Sequence, residues 1–346
     1  MHEALFYERQ GKNSVRCGLC RFRCLIANGH RGICNVRENR EGTLYSLVYG
    51  LAVAEQADPI EKKPLYHFLP GSHSYSIATV GCNFRCRHCQ NYAISQPVDG
   101  TLKIVGMELP PGEVVKRALA SGCRSISYTY TEPTIFFEYA FDTARLAKAQ
   151  GLKNIFVTNG YISPEPLAAI APYLDAANID LKGFTEKFYI EQVQATLAGV
   201  LATIRDYRRH NNIWLELTTL LIPGLNDSDK ELSQLCRFIA EEVGVDTPWH
   251  VSQFFPTYLT TDRQRTPLDT LLRARKIGLG ARLRHIYLGN VTGAGGEESR
   301  CSACATILIE RQGYRITANR LVNGACPFCG THLSGVFDET PPVRGN

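Results

Sequence analysis

The sequence predicts an α/β protein of parallel strand–helix units, curled into a partial, open (β/α)6 barrel of about six units. Three observations predict it. Apolar or β-branched runs alternate with helical patterns over residues 74–289. Polar clusters fall where those runs end, the place where parallel folds bind ligands. Cysteines gather in one cluster just after the first run and in two clusters that flank the alternating region.

The chain has 346 residues, enough for one large α/β domain with small appendages. Its 44% apolar content is that of a globular protein, and its net charge of +5 is spread without a Lys/Arg run. Nucleic acid is therefore not an expected partner. The start, MHEALFYERQGK, lacks the apolar core of a signal peptide. No apolar run approaches the roughly 18 residues of a membrane span. The expectation is a soluble, cytoplasmic protein. In that reducing compartment the thirteen cysteines read as metal ligands rather than disulfides.

Taken in order, residues 1–57 form a cysteine-rich, turn-rich N-terminal segment with few periodic stretches, expected to bind metal. Residues 58–295 form the barrel. Its strands are SYSIATV (74–80), SISYTY (125–130), NIFVTN (154–159), AANIDL (176–181), WLELTTLL (214–221), WHVSQFF (249–255) and RHIYLG (284–289). Seven strands are too few for a closed eight-fold barrel. The helices between them are PGEVVKRALA (111–120), TIFFEYAFDTARLAKAQ (134–150), one long helix over 184–207, SDKELSQLCRFIAEEV (228–243) and TPLDTLLRARKIGLGARL (266–283). The fourth of these opens on a capping box, Ser228 with Glu231. Residues 296–337 form a C-terminal zinc-ribbon or rubredoxin-like domain, and 338–346 a flexible tail. Cys123 and Cys236 lie in helix patterns and are expected as small buried apolar residues.

The loop after the first strand carries C-x3-C-x2-C: Cys82, Cys86 and Cys89. A closed zinc site needs four ligands, and His88, beside Cys89, would reach the same ion awkwardly. Three thiolates can instead hold a four-iron, four-sulfur cluster by three irons. The fourth iron then stays open to a small molecule that chelates through amino and carboxylate groups. The other strand ends carry Thr131-Glu132-Pro133, Thr158-Asn159-Gly160, Asp180 with Lys182, Thr218 and Thr219, and His250 with Ser252 and Gln253.

The flanking sets differ. Cys301-x2-Cys304 and Cys326-x2-Cys329 make two knuckles with 21 residues between, the pattern of a zinc site, with mononuclear iron or an auxiliary cluster as alternatives. Cys17, Cys20, Cys24 and Cys34 run C-x2-C-x3-C-x9-C, which matches no ferredoxin run. Structural zinc and an auxiliary iron–sulfur cluster both stay open for them.

C-x3-C-x2-C on the first strand's loop resembles the radical SAM superfamily. "DPIEKKPLYHFLPG" (58–71), "TVGCNFRCRHCQN" (79–91), "YTYTEPT" (128–134), "NIDLKGF" (178–184), "LLIPGLND" (220–227) and "GNV" (289–291) are similar to the radical SAM enzymes of the AmmeMemoRadiSam system, relatives of pyruvate formate-lyase activating enzymes. The resemblance implies a 4Fe-4S cluster on Cys82, Cys86 and Cys89 and S-adenosylmethionine as the chelating molecule. One electron then cleaves the sulfonium to a 5′-deoxyadenosyl radical that abstracts hydrogen from a substrate. It gives Glu132 the methionyl amino group, places Thr158 and Asp180 beside the cofactor's carboxylate and a monovalent cation, gives Lys182 the neutralisation of that carboxylate, with a rim salt bridge to Asp180 as the alternative, and counts Asn159 among the cofactor-binding residues. His250 contacts cofactor or substrate, or is a core histidine. Lys62, Lys63, Tyr66 and His67 are candidates for the mouth of the site. A reducing partner such as flavodoxin or ferredoxin, and Memo-like and AMMECR-like proteins, are the implied partners. A glycyl-radical-enzyme activase is the alternative function. Thr131 departs from the Asn expected before Glu-Pro.

Overall fold

The computed structural model describes residues 1–97, 102–291, 293 and 295–338. The expected tail falls almost wholly outside the described residues. The chain divides into two compact units that interleave along the sequence. The first takes Met1–Asp58, His73–Ala177 and Ile190–Ile213; the second takes Pro59–Ser72, Asn178–Tyr189 and the chain from Trp214 onward.

In the first unit, strand Ser125–Tyr128 lies between His73–Ala78 and Lys153–Thr158 and is parallel to both. All four of its residues are buried, as expected when both faces of a parallel sheet are covered. Helices Pro111–Ala120 and Phe137–Ala149 cover it, the first with proline at its opening position, where a missing N–H costs nothing. In the second unit, strands Trp214–Leu221, Trp249–Gln253 and Ile286–Gly289 run parallel, with Thr218 opposite His250 and His250 opposite Tyr287. Strand Ala176–Asp180 lies across the division of the chain. The mixed α/β fold, with its parallel barrel-like sheet and cysteine-bearing C-terminal ribbon, is the one the sequence predicts. Cys123 and Cys236 are buried, also as expected.

Residues 1–50 carry only short strands between turns, in keeping with their lack of long periodic stretches. They form two three-stranded antiparallel sheets, one of His2–Glu3, Thr43–Ser46 and Arg37–Arg40, the other of Tyr7–Arg9, Val15–Cys17 and Leu25–Ile26. Strands of two to four residues are too short to show a period of two. The long helix over 184–207 is broken. A short turn, Glu186–Phe188, runs into a π-helical stretch, Tyr189–Val193, and a new helix, Leu197–Arg208, starts at Thr196, whose hydroxyl accepts the Gly199 N–H at 3.2 Å. At Ser228 only half of the capping box forms. Its hydroxyl accepts the Glu231 N–H at 3.3 Å, while the Glu231 carboxylate accepts the Phe184 N–H at 2.6 Å.

The C-terminal ribbon pairs Ile307–Gln312 with Ser299–Arg300 and with Arg315–Asn319. Among the described residues no helix is long and apolar enough to cross a membrane.

Candidate functional site

The cysteine loop is built by the backbone that precedes it. Gly81 has φ +99°, and a Cβ there would lie 2.6 Å from Val36 Cγ1 and 3.0 Å from the Cys34 carbonyl oxygen. Only glycine fits that approach. Beyond it, Phe84 is fully buried against Phe22 and Tyr161, with ring centres 6.4 and 5.2 Å away. The N–H groups of Arg85 and Arg87 donate to the carbonyls of Val193 and Gln192, each at 2.9 Å. Here the π-helical stretch missed in the sequence has a use, since its carbonyls hold the loop. Gly81→Ala is expected to cost about 1–3 kcal/mol by overpacking and to lower iron incorporation, both readable from a melting curve and an iron assay.

The three thiols sit on this loop, Cys86 buried and the other two part-buried. Cys82 Sγ accepts the Phe84 N–H at 3.4 Å and faces Asn159 Nδ2 at 3.8 Å. Cys89 Sγ lies 3.2 Å from Ser95 Oγ. Burial first, then the Glu132 carboxylate, then Cys86 push the Cys82 thiol well above its ordinary range. Such a set becomes anionic readily only with a cation to compensate it.

The ends of the second and third parallel strands supply the rest. Tyr130 stands at φ +62°, unusual for a bulky residue, and its carbonyl accepts from Asn91 Nδ2 at 2.7 Å. The turn delivers Glu132 into the interior, 1% exposed. Its Oε1 accepts from the Thr134 N–H at 3.0 Å, the Thr134 hydroxyl at 2.5 Å and the Thr158 hydroxyl at 2.8 Å. Its Oε2 accepts only the Asn159 N–H, at 2.8 Å, and keeps acceptor capacity. Burial raises the Glu132 carboxyl, and those hydrogen bonds oppose the rise. Asn159 Nδ2 also donates to Asn83 Oδ1 at 2.7 Å. Asn83 Nδ2 and Asn159 Oδ1 are buried with no hydrogen-bond partner, one donor and one acceptor beside the thiols. Buried polar groups without partners are uncommon, and here they mark a place for a polar ligand. The fold thus brings together Cys82, Cys86, Cys89, Glu132, Thr158 and Asn159.

The remaining candidates lie in the second unit. Lys182 Nζ pairs with Asp180 Oδ2 at 2.8 Å. His250 is buried, with Nε2 at 2.6 Å from Glu216 Oε2. Sequence reading missed Glu216, which also accepts the N–H groups of Tyr66 and His67 at 3.0 and 2.8 Å and Trp214 Nε1 at 2.9 Å. Tyr66 and His67, expected at a mouth, are interior residues. The Arg311 guanidinium stacks 4.2 Å over the Tyr66 ring and donates to the Tyr66 carbonyl at 2.7 Å. Lys63 is likewise buried and Lys62 exposed. Nothing in the sequence ties Arg311 to a tyrosine 245 residues earlier.

Cys301, Cys304, Cys326 and Cys329 converge, all four sulfurs lying within 4.8 Å of one another. Cys301 to Cys329 is 3.5 Å and Cys304 to Cys326 is 3.7 Å. Tetrahedral ligation of one ion through bonds of about 2.3 Å places sulfurs about 3.8 Å apart, so this set fits a single metal ion. The hydroxyl and N–H of Thr306 hold the Cys304 thiol down to about 6, in favour of the ligating thiolate.

The profile of the Radical SAM superfamily matches residues 76–236. An uncharacterized protein of Methanocaldococcus jannaschii is 43% identical over 340 residues, spanning 97% of this chain and 100% of the relative. The chain belongs to the radical SAM superfamily. A putative glycyl-radical enzyme activating enzyme of the same organism is 26% identical over 227 residues, 64% of this chain and 80% of that one. Among solved structures, a radical SAM methyltransferase from Sphaerobacter thermophilus matches with a TM-score of 0.50 at 16% identity, covering 66% of this chain and 71% of that one. Streptococcus suis SuiB bound to S-adenosylmethionine matches with a TM-score of 0.50 at 13% identity, covering 70% and 56%. These last two show the fold. Membership implies a 4Fe-4S cluster and S-adenosylmethionine. The three-thiol loop and the two unpartnered asparagine atoms beside it fit that pair of groups.

Proposed function

We propose that the protein cleaves S-adenosylmethionine reductively at a 4Fe-4S cluster held by Cys82, Cys86 and Cys89. Its substrate would be a small molecule or a partner protein of an AmmeMemoRadiSam-type system. It works in the cytoplasm, beside Memo-like and AMMECR-like proteins, with a flavodoxin or ferredoxin as reductant. The observation that carries the reading is the cysteine loop, pinned at Gly81 and Phe84 and flanked by buried polar atoms without partners. When bound, cluster and cofactor supply one-electron cleavage of the S–C5′ bond and a hydrogen-abstracting radical.

The chain's own residues bind and orient. The three thiolates take three irons. The Phe84 N–H and the Asn159 amide stabilise the Cys82 sulfur as an anion. Glu132, through the free side of Oε2, accepts the methionyl ammonium, while Thr158 and Thr134 fix its other oxygen. Asp180, Lys182 and His250 enter the reading by resemblance alone. The C-terminal four cysteines hold zinc.

Glu132→Ala is expected to weaken S-adenosylmethionine binding about 10- to 150-fold, the worth of one charge-assisted hydrogen bond, with Glu132→Gln at the mild end. Titration of the reconstituted protein checks this, with cluster absorbance read alongside. Unchanged affinity in the alanine variant would leave Glu132 as a turn-capping residue only.

The second reading, a glycyl-radical-enzyme activase, is favoured by the 26% identical relative. The test adds each kind of partner to the reconstituted protein with dithionite and S-adenosylmethionine. A several-fold rise in 5′-deoxyadenosine with a Memo-like or AMMECR-like protein supports the first reading. No rise with either, together with a glycyl-radical EPR doublet on an added glycyl-radical enzyme, replaces it with the second.

A further inference from the structure

Cys17, Cys20, Cys24 and Cys34 line one hollow in the first unit, together with Arg37 and apolar residues. The two small N-terminal sheets bring them there. Cys17 ends a strand and its N–H donates to the Cys24 carbonyl at 2.9 Å, while Arg37 opens a strand of the other sheet. Cys17, Cys20 and Cys34 are buried and Cys24 is part-buried.

The spacing of the sulfurs separates this set from the C-terminal one. Both have four cysteines and both suit a metal by composition. The C-terminal sulfurs all lie within 4.8 Å of one another, whereas the N-terminal four form no such group although they share one hollow. One zinc ion draws its four sulfurs to about 3.8 Å apart. A four-iron cluster gives each thiolate its own iron, so its ligand sulfurs stand wider. Gly32 lies between two of the sulfurs. A Cβ on Gly32 would lie 3.9 Å from both Cys24 Sγ and Cys34 Sγ, and 3.2 Å from Ile26 Cδ1.

A second observation concerns donors. Arg37 is 1% exposed, its Nη1 bound to both Glu138 carboxylate oxygens at 2.9 and 3.0 Å and its Nη2 to the Leu5 carbonyl at 2.7 Å. Its Nε is buried and has no partner. A buried cationic N–H without an acceptor, on a residue lining a hollow of thiols, calls for an anionic acceptor there.

We propose that Cys17, Cys20, Cys24 and Cys34 hold an auxiliary 4Fe-4S cluster, with Arg37 Nε donating to one of its sulfurs. With four protein ligands the cluster has no iron left for a substrate, so it exchanges single electrons only. It adjoins the other site through the backbone, because the Cys34 carbonyl faces Gly81 and the Ile33 carbonyl accepts from Arg85 Nη2.

The test counts metals in the full chain, reconstituted anaerobically and desalted. The wild type should hold about eight iron and eight sulfide with about one zinc, two clusters and one ion. The triple variant Cys82→Ala/Cys86→Ala/Cys89→Ala should keep about four iron and four sulfide, with cluster absorbance. Cys20→Ala/Cys34→Ala should lose about four iron from the wild-type count. A wild type with about four iron and two zinc overturns the proposal, as does a triple variant devoid of iron. The triple variant keeps the test decisive if the N-terminal variant fails to fold. A triple variant that keeps its four iron yet still cleaves S-adenosylmethionine would refute the central-site reading and leave this one standing.

Discussion

Removing the C-terminal metal is expected to unfold the ribbon over residues 299–338. The ribbon's own core is Cys301, Leu308, Ile309, Leu321, Cys326 and Leu333, two of which are ligands. A core of that size cannot offset the conformational entropy of about forty ordered residues without a staple. The metal contributes folding free energy, with about 10–16 kcal/mol in isolated zinc peptides as an upper bound. The loss spreads further into the second unit. Strand Ile307–Gln312 carries Arg311, which faces Glu61 Oε1 at 3.7 Å with both side chains fully buried. Without Arg311, Glu61 is a buried charge lacking its counter-ion, which is strongly destabilising. The check is amide exchange on a variant with all four cysteines replaced by serine, or after chelation. Protection should vanish from 299–338 and weaken around Tyr66. Unchanged protection there would contradict a structural metal.

The next largest effect is expected at Glu216. Its carboxylate, fully buried, accepts from Tyr66 N–H, His67 N–H, Trp214 Nε1 and His250 Nε2. Glu216→Ala leaves four donors without an acceptor and should cost about 3–5 kcal/mol, the range for breaking a buried charged pair. Denaturant unfolding measures it, and Glu216→Gln, which keeps the volume and an acceptor, should cost less. The same network gives stability a pH slope. Burial raises the Glu216 carboxyl, but the hydrogen bond and charge of His250, then His67 and the Tyr66 N–H, outweigh it and hold the group below its ordinary 4.5. Burial, then His285, pushes His67 from 6.5 down to about 3. Both groups are depressed in the folded state. Their contribution is therefore complete at neutral pH and lost on acidification, beginning below pH 6.5 for His67 and below 4.5 for Glu216. Each adds a slope of up to about 1.4 kcal/mol per pH unit within its window. The stability advantage of wild type over His67→Asn should narrow as pH falls from 6 to 4. A constant difference would mean that His67 titrates normally.

The parallel strands were legible because each is a short run of apolar or β-branched residues bounded by polar strand ends. The run WLELTTLL matches strand Trp214–Leu221 residue for residue. That run also hid a buried carboxylate that accepts four hydrogen bonds, since a Glu within an alternating strand reads as a solvent-facing position. Its partners come from residues 66, 67 and 250, and such long-range pairing leaves no local trace. The cysteine loop was legible by spacing alone. Its support was not, because the holding carbonyls come from a π-helical stretch inside an otherwise regular helical pattern. The N-terminal cysteines were legible as ligands but not as a particular site. What distinguishes them from the C-terminal set is the distance between sulfurs, which spacing along the chain does not encode.

The most direct measurement is release of 5′-deoxyadenosine from S-adenosylmethionine under dithionite. It compares anaerobically reconstituted wild type with the variant in which Cys82, Cys86 and Cys89 are alanine. Release by the wild type, and none above background by the variant, is the expected result. Equal release by the two proteins, or none from a wild type carrying an intact central cluster, would contradict it.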